Sequence, residues 1–486
     1  MKHALARLWT QIETGSDSLA VHDATGLHSY GELSELIQKI AGGVAQINGH
    51  PKVFIYLPQC IGAYAAMFAS HYAGGFYAAA NLEWPLERQR TVFKSFKPDA
   101  VIFDSSQVSL PDEMSGLAIE IDLFKLPNEK LTSPNLAHDL AYVMFTSGST
   151  GDPKGVMISQ EGLANYVDWA IQEMALIRED RWSQHPNIAF DLSVLDIYGA
   201  LCSGGSLHPL ISATDRMLPA RFIRDRQLTI WNSVPSVIDI MRAAREVTSK
   251  NFSSLRLLSF CGEPLLPEHV GAIFEAKPDV DVHNTYGPTE ATVSCTLLRL
   301  YQDTYRSASR RSMAFGEPIQ NMSLYLMGGS TVDEGEIFLF GPQIARGYWN
   351  APEQTNDVFV KIEIDGIPTP LYRTGDWGIR EDGHNYFVSR IDRQIKIRGH
   401  RVELGEIDKA ARDAGVRTAC TVLVDQALYC FLEGDGLIDI PLLREQMENV
   451  LPAYAMPSSF KQIESLPRNA NEKIDANSLI ERVKSG

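Results

Sequence analysis

Between Tyr142 and Ser159 the chain reads YVMFTSGSTGDPKGVMIS. An apolar run of strand character leads into Thr146, Ser147, Gly148, Ser149, Thr150 and Gly151, and Lys154 follows. Glycines let backbone N–H groups approach an anion, hydroxyls add donors and the ammonium supplies charge, which together make the parts of a phosphate cradle. The loop is not a Walker A motif, because the GxxxxGK[ST] spacing is absent. A Ser/Thr/Gly run alone is more often a plain connection; the density of donors and the lysine favour phosphate here.

Further runs follow in a fixed order: NTYGPTEATV (Asn284–Val293), GYWNAPEQTNDVF (Gly347–Phe359), YRTGDWG (Tyr372–Gly378), SRIDRQIKIRGHRVELGEID (Ser389–Asp408) and NEKID (Asn471–Asp475). Together with TSGSTGDPKGV they resemble the signature of the adenylate-forming superfamily, which includes acyl-CoA synthetases, luciferase-like enzymes and the adenylation domains of non-ribosomal peptide synthetases. The resemblance implies an α/β fold: a large N-terminal multi-subdomain α/β domain (residues 1–390) binding ATP and an amino acid, and a small mobile α+β domain (391–486) carrying a catalytic lysine. It also implies a ligase chemistry in two halves. A carboxylate attacks the α-phosphate of ATP to give an acyl-adenylate and pyrophosphate, then a thiol attacks the activated carbonyl and expels AMP. Bringing one anion up to another needs cations and oriented donors.

By that resemblance the segment Thr146–Lys154 holds the β- and γ-phosphates, and Asn284, Thr285, Tyr286, Gly287 and Thr289 line the nucleotide site. Tyr286 stacks on adenine, Asp376 accepts the ribose hydroxyls with its two oxygens, and Arg390 lies near the ribose. Glu290 binds Mg²⁺, a hard cation suited to carboxylate oxygen. Lys473 bridges the attacking carboxylate and the α-phosphate, a task that suits a mobile ammonium; the chain has NEK where the family has NGK. Asp392 corresponds to the hinge of the small domain, and Gly399 to a position lining the path of the thiol.

The segment FDLSVLDIYGAL (Phe190–Leu201) bears on the acid. In amino-acid-activating members an Asp at the position of Asp191 pairs with the substrate ammonium, and a partly buried carboxylate is otherwise expensive; the alternative is an Asp capping the following helix. FDLSVLDIY, LSFCGE and NTYGPTEATV are similar to the D-alanine–carrier protein ligases. Leu192, Leu195, Asn232, Ser259, Cys261, Gly262, Thr285, Val293 and Ser294 would form the wall of a small substrate pocket. D-alanine leads, with glycine, L-alanine, serine, threonine and cysteine behind it; a buried amide at Asn232 must be satisfied, and a substrate hydroxyl or thiol or an ordered water could do so. An acyl- or aryl-CoA synthetase is the further alternative, which Asp191 argues against. No carrier attachment serine follows Lys473, so the expected thiol is the phosphopantetheine of a separate, acidic carrier protein, with Arg306, Arg310 and Arg311 a candidate docking patch.

The elements that must position these groups read as α/β layers. Tyr30–Ile47 has helical apolar spacing, Val53–Leu57 is a short β-rich run, and FKPDAVIF puts a turn before a buried strand at Phe96–Phe103, an alternation that predicts a parallel sheet. Beyond Asp392 the pattern predicts strands at Thr418–Val424 and Ala427–Leu432 and a helix at Ile440–Leu451. The apolar stretch Ile61–Ala80, interrupted by His71 and Gly74-Gly75, predicts a buried helix and turn, with no integral membrane segment. At 486 residues the chain exceeds one core. Its 44 Lys plus Arg against 60 Asp plus Glu, net −16, argue against nucleic-acid partners. Six scattered cysteines without CxxC predict buried free thiols, and MKHALARLWTQIETGSD lacks the apolar stretch of an export signal, so a cytoplasmic location is expected.

Overall fold

The computed structural model describes residues 4–47, 49–121, 130–135, 138–148, 151–364, 366–397, 399–434, 436–468 and 474–485. The chain divides into two compact units. The first comprises Met1–Asn81, Phe96–Met144 and Gly155–Ser389, and the second Leu82–Ser95, Phe145–Lys154 and Arg390–Gly486.

The framework of the first unit is a nine-stranded sheet with spatial order Glu317–Pro318, Thr296–Leu300, Asp281–Tyr286, Leu257–Phe260, Ile230–Ser233, Arg181–Gln184, Ser206–Pro209, Leu19–Asp23 and Gly26–Ser29. Its centre is parallel and its edges antiparallel. In-register pairing places Asn232 beside Ser259, and Ser259 beside His283. Because side chains alternate along a strand, these three share one face of the sheet. A six-stranded sheet runs Ala118–Glu120, Ala100–Phe103, Lys52–Ile55, Phe76–Ala79, Leu140–Thr146 and Lys154–Ser159. A third sheet gathers Ser323–Gly328, Glu334–Phe340, Ile367–Glu381 and Phe359–Ile364, with His384–Arg390 on the long strand.

Two helices have no polar stripe. Ile61–Tyr72 is buried at every position, the buried helix expected from its apolar stretch, and its 12 residues are too short to span a bilayer. No helix among the described residues is long and apolar enough to cross a membrane. Leu192–Ser203 is buried from Leu192 to Cys202 and stops at Gly204, whose φ of 90° lies in the left-handed region that glycine adopts freely. By contrast Tyr30–Val44 is amphipathic and opens with a capping box, Ser29 accepting from the Glu32 N–H while Glu32 accepts from the Ser29 N–H. All six cysteines are free and buried.

In the second unit Gln394–Ile397 and His400–Glu403 form a hairpin, and Thr418–Val424, Ala427–Glu433 and Ser459–Gln462 a three-stranded sheet. The helices Leu404–Asp413, Ile440–Glu448 and Ala476–Lys484 accompany them. The Ile440 helix ends three residues earlier than its apolar pattern predicts, at Glu448.

Candidate active site

The first unit brings three acidic side chains of different chemistry onto the frame of the large sheet. Tyr286 ends the strand Asp281–Tyr286. Its hydroxyl donates to Asp376 Oδ2 at 2.6 Å, and its ring lies 4.7 Å from that of Phe315, tilted by 33°. Burial, and after it the Asp376 carboxylate, push the Tyr286 phenol well above its ordinary pKa. Asp376 is itself fixed by Thr374, whose hydroxyl accepts from the Asp376 N–H at 3.0 Å and donates to Ile337 O at 2.8 Å. Asn284 Nδ2 donates to Ala314 O and Thr285 Oγ1 to Phe260 O, so both side chains tie the strand end to neighbouring backbone.

Past Tyr286 the chain turns at Gly287. A Cβ there would sit 2.5 Å from Ser294 Cα and 2.9 Å from Val293 O, so only glycine lets the two backbone runs meet. The 3-10 turn Thr289–Ala291 then carries Glu290, which is wholly buried. Tyr348 donates to Glu290 Oε1 at 2.7 Å, and the Ala345 N–H bonds Glu290 O at 2.8 Å. Thr289 is also buried.

Asp191 occupies the N-cap position of the helix Leu192–Ser203, but its side chain makes no capping hydrogen bond. The Ser193 hydroxyl turns back to Phe190 O at 2.7 Å. The capping alternative weighed for Asp191 is therefore not realised. Of the residues expected to form the pocket wall, Leu192, Leu195, Ser259, Cys261, Val293 and Ser294 are buried. Cys261 Sγ lies 4.0 Å from Val293 O, Gly262 has φ 89°, and Ser294 Oγ bonds Tyr166 Oη at 3.3 Å. Asp191, Asp196 and Cys261 all act electrostatically on the buried Tyr166 phenol, whose pKa rises chiefly through burial.

Asn232 is fully buried, and its Nδ2 donates to Asp196 Oδ1 at 2.7 Å and to Leu192 O at 3.3 Å. Burial drives the Asp196 carboxyl well above the ordinary carboxylate range, against the opposing hydrogen bonds from Asn232 and His185. Asp196 Oδ2, Asn232 Oδ1 and Ser259 Oγ have no partner among the described residues.

In the second unit Gly148 accepts from the Gly151 N–H at 2.9 Å, and Gly151 has φ 94°. Ser147 Oγ donates to Arg401 O at 2.8 Å, and Lys409 Nζ to Asp152 Oδ1 at 3.1 Å. The buried Thr146 hydroxyl has no partner among the described residues, and Lys154 opens the strand Lys154–Ser159. Arg390 Nε bonds Asp392 Oδ1 at 2.9 Å. Burial works against the Asp392 carboxylate, yet the bond and charge of Arg390 hold its pKa below the usual range. Gly399 has φ 78°. Ser149, Thr150 and Lys473 lie outside the described residues. Of the expected docking patch, Arg310 is paired with Glu381 and lies 5.0 Å over the Tyr386 ring, Arg306 lies 5.1 Å over Tyr305, and Arg311 is exposed.

Tyr348, which bonds Glu290, and Asp196, which bonds Asn232, were not assigned from sequence. Tyr348 falls inside GYWNAPEQTNDVF, and Asp196 is the one acid in an otherwise apolar helix, a signal that could have exposed it.

This fold and these clusters define an enzyme of the AMP-binding class. The chain belongs to the AMP-binding enzyme family, which matches residues 8–349, and members of that family are AMP-forming ligases. It is 30% identical over 445 residues to a D-alanine–D-alanyl carrier protein ligase of Listeria monocytogenes, covering 85% of each protein. It is 33% identical over 446 residues to tyrocidine synthase 3 of Brevibacillus parabrevis, matching 87% of this chain but only 7% of that much longer protein. Among solved structures, the Vibrio cholerae adenylation domain AlmE in complex with glycyl-adenosine-5'-phosphate superposes with TM-score 0.86 at 25% identity, over 100% of this chain and 98% of that one.

Proposed function

We propose that the protein activates a small amino acid with ATP and passes it to the phosphopantetheine thiol of a separate carrier protein. The observation that carries the amino-acid reading is Asp191: a carboxylate at the start of the buried helix Leu192–Ser203 that, with Cys261 of the expected pocket wall, acts on the buried Tyr166 phenol, suited to a substrate ammonium. The substrate carboxylate oxygen forms a bond to the α-phosphorus of ATP while the bond to pyrophosphate breaks. The carrier sulfur then attacks the acyl carbon and AMP leaves.

In this reading Asp376 receives the ribose hydroxyls and Tyr286 the adenine. Thr146, Ser147, Gly148, Ser149, Thr150, Gly151 and Lys154 take the phosphates; the unpartnered buried hydroxyl of Thr146 fits such a ligand. Glu290, a buried hard oxygen donor, would hold Mg²⁺, which supplies charge neutralisation to the phosphates when bound. Lys473 would deliver the bridging ammonium from a domain comprising 391–486, swinging about Asp392 on the domain 1–390. D-alanine is the favoured substrate, supported by the relative from Listeria; glycine, L-alanine, serine, threonine and cysteine share the same chemistry. The charge of −16 leaves an acidic carrier dependent on local cations such as Arg306 and Arg311.

ATP–pyrophosphate exchange with a panel of amino acids in both enantiomers tests this. A small amino acid should stimulate exchange at least tenfold over blank, and stimulation by a fatty or aryl acid with none by any amino acid would overturn the reading.

A further inference from the structure

Val293, in the wall of the candidate substrate pocket, and Thr292 before it both have left-handed backbone, with φ 71° and 53°. Both are β-branched, and for such residues this conformation is a genuine outlier that persists only where surroundings impose it. What imposes it is one side chain 50 residues further on. Gln343 is fully buried. Its Nε2 donates to Ala291 O at 3.1 Å and to Ser294 O at 2.9 Å, with Thr292 O at 3.5 Å. Its Oε1 accepts from Asn165 Nδ2 at 2.9 Å, and that opposite partner fixes which way the amide faces. Its own carbonyl accepts from Thr292 Oγ1 at 2.7 Å. Asn165 in turn accepts from Asn321 Nδ2 at 2.8 Å.

The neighbouring residues hold the preceding turn in the same way. Ala345 N–H and the Tyr348 hydroxyl both bond Glu290. The short run 343–348 therefore fixes the bend 290–294 from one side, while Gly287 admits it from the other.

The geometry points to Gln343 as a positioning residue that determines amino-acid selectivity: its amide holds Thr292 and Val293 in the strained bend and thereby sets the pocket wall where Val293 O meets Cys261. This rests on the amino-acid-activating reading above. Without the amide, the carbonyls of Ala291 and Ser294 lose their donor and the two residues can relax toward negative φ, carrying the Val293 wall away from Cys261. The nucleotide contacts of Tyr286 and Asp376 use other bonds and stay.

The test is amino-acid-dependent pyrophosphate exchange by Gln343→Leu. The KM for the preferred amino acid should rise about tenfold or more, and discrimination against the amino acid one methylene larger should shrink, while the KM for ATP changes less than about twofold. Thr292→Gly in the same background should recover part of the amino-acid KM, because glycine accepts the positive φ without strain. Should Gln343→Leu fail to fold, Asn165→Ala, which removes the partner of Oε1 together with the contacts of Asn165 to Asn321 and Gln320 O, should raise the amino-acid KM severalfold with ATP again unaffected. Equal changes in both KM values, or a loss of kcat with both KM values kept, would make Gln343 a general packing residue and overturn the inference. A wild-type enzyme that exchanges with no amino acid would instead overturn the reading on which it rests.

Discussion

At the scale of single residues the pocket turns on a pair that neither member explains alone. Asn232 stands out in the sequence because an amide in WNSVPS must find partners. The structure gives it Asp196, one helical turn beyond Leu192, in a place where an ionised carboxylate would be costly. One oxygen of each has no partner among the described residues, and the bond between them is what compensates the rest of both groups, so breaking one should be worse than replacing both. Asn232→Val should lower the unfolding free energy by about 1–3 kcal/mol, because it strands the Asp196 oxygen. Asn232→Val combined with Asp196→Val should recover part of that loss, since it also removes the stranded carboxyl and leaves only the His185 backbone donor without its acceptor. Urea denaturation of the wild type, the two single variants Asn232→Val and Asp196→Val, and the double variant measures it. A double variant as unstable as the sum of the two singles would show that the pair does not act as a unit.

At the scale of elements, what was legible in the sequence was local. The helix beginning at Tyr30, the apolar strand that leads into Thr146, and the buried helix at Ile61 are each written within one window of sequence. The bend through Thr292 and Val293 was not legible, because β-branched residues argue against left-handed backbone and the side chain that imposes it lies at Gln343. Asp191 was legible as a candidate ligand; that Ser193, and not Asp191, turns back on the helix start depends on rotamers that spacing does not set. Gly287 bridges the two cases. Its place in YGPTE is a motif, but the reason is the backbone of Val293 and Ser294 at van der Waals limit. Gly287→Ala must push that bend away, and a displacement near 1 Å costs about 10²-fold in rate. Exchange activity should fall by at least about tenfold, with the KM values for ATP and for the amino acid both raised, since Tyr286 lies on one side of the glycine and Val293 on the other. This differs from Gln343→Leu, which should move the amino-acid KM alone. A Gly287→Ala enzyme with either KM unchanged would refute the coupling.

At the scale of the whole molecule the acidic composition conceals a liability to acid. His185, His208 and His283 of the first unit are held neutral: withdrawal from water lowers their pKa to about 4, about 3 and about 3. Nearby guanidiniums add to this, Arg216 at His185, Arg226 and Arg181 at His208, and Arg299 and Arg256 at His283. His208 Nδ1 and His283 Nδ1 have no partner among the described residues, so a proton added there would find no acceptor. The unfolded chain protonates all three near pH 6.5, and the folded chain does not. Between pH 6.5 and about 4 the unfolded state therefore binds more protons, and stability falls as pH falls, by up to about 1.4 kcal/mol per pH unit for each histidine. Asp196 works in the opposite sense, because its raised pKa keeps a proton in the folded state that the unfolded chain has released, but it is one group against three. The net expectation is a first unit markedly less stable at pH 5 than at pH 7.5. His208→Phe, which keeps the ring volume and removes the titrating group, should take away about a third of the histidine-dependent loss. Denaturant midpoints for the wild type and this variant at the two pH values decide it, and an equal acid loss in both proteins would mean that His208 is not a source of the pH dependence.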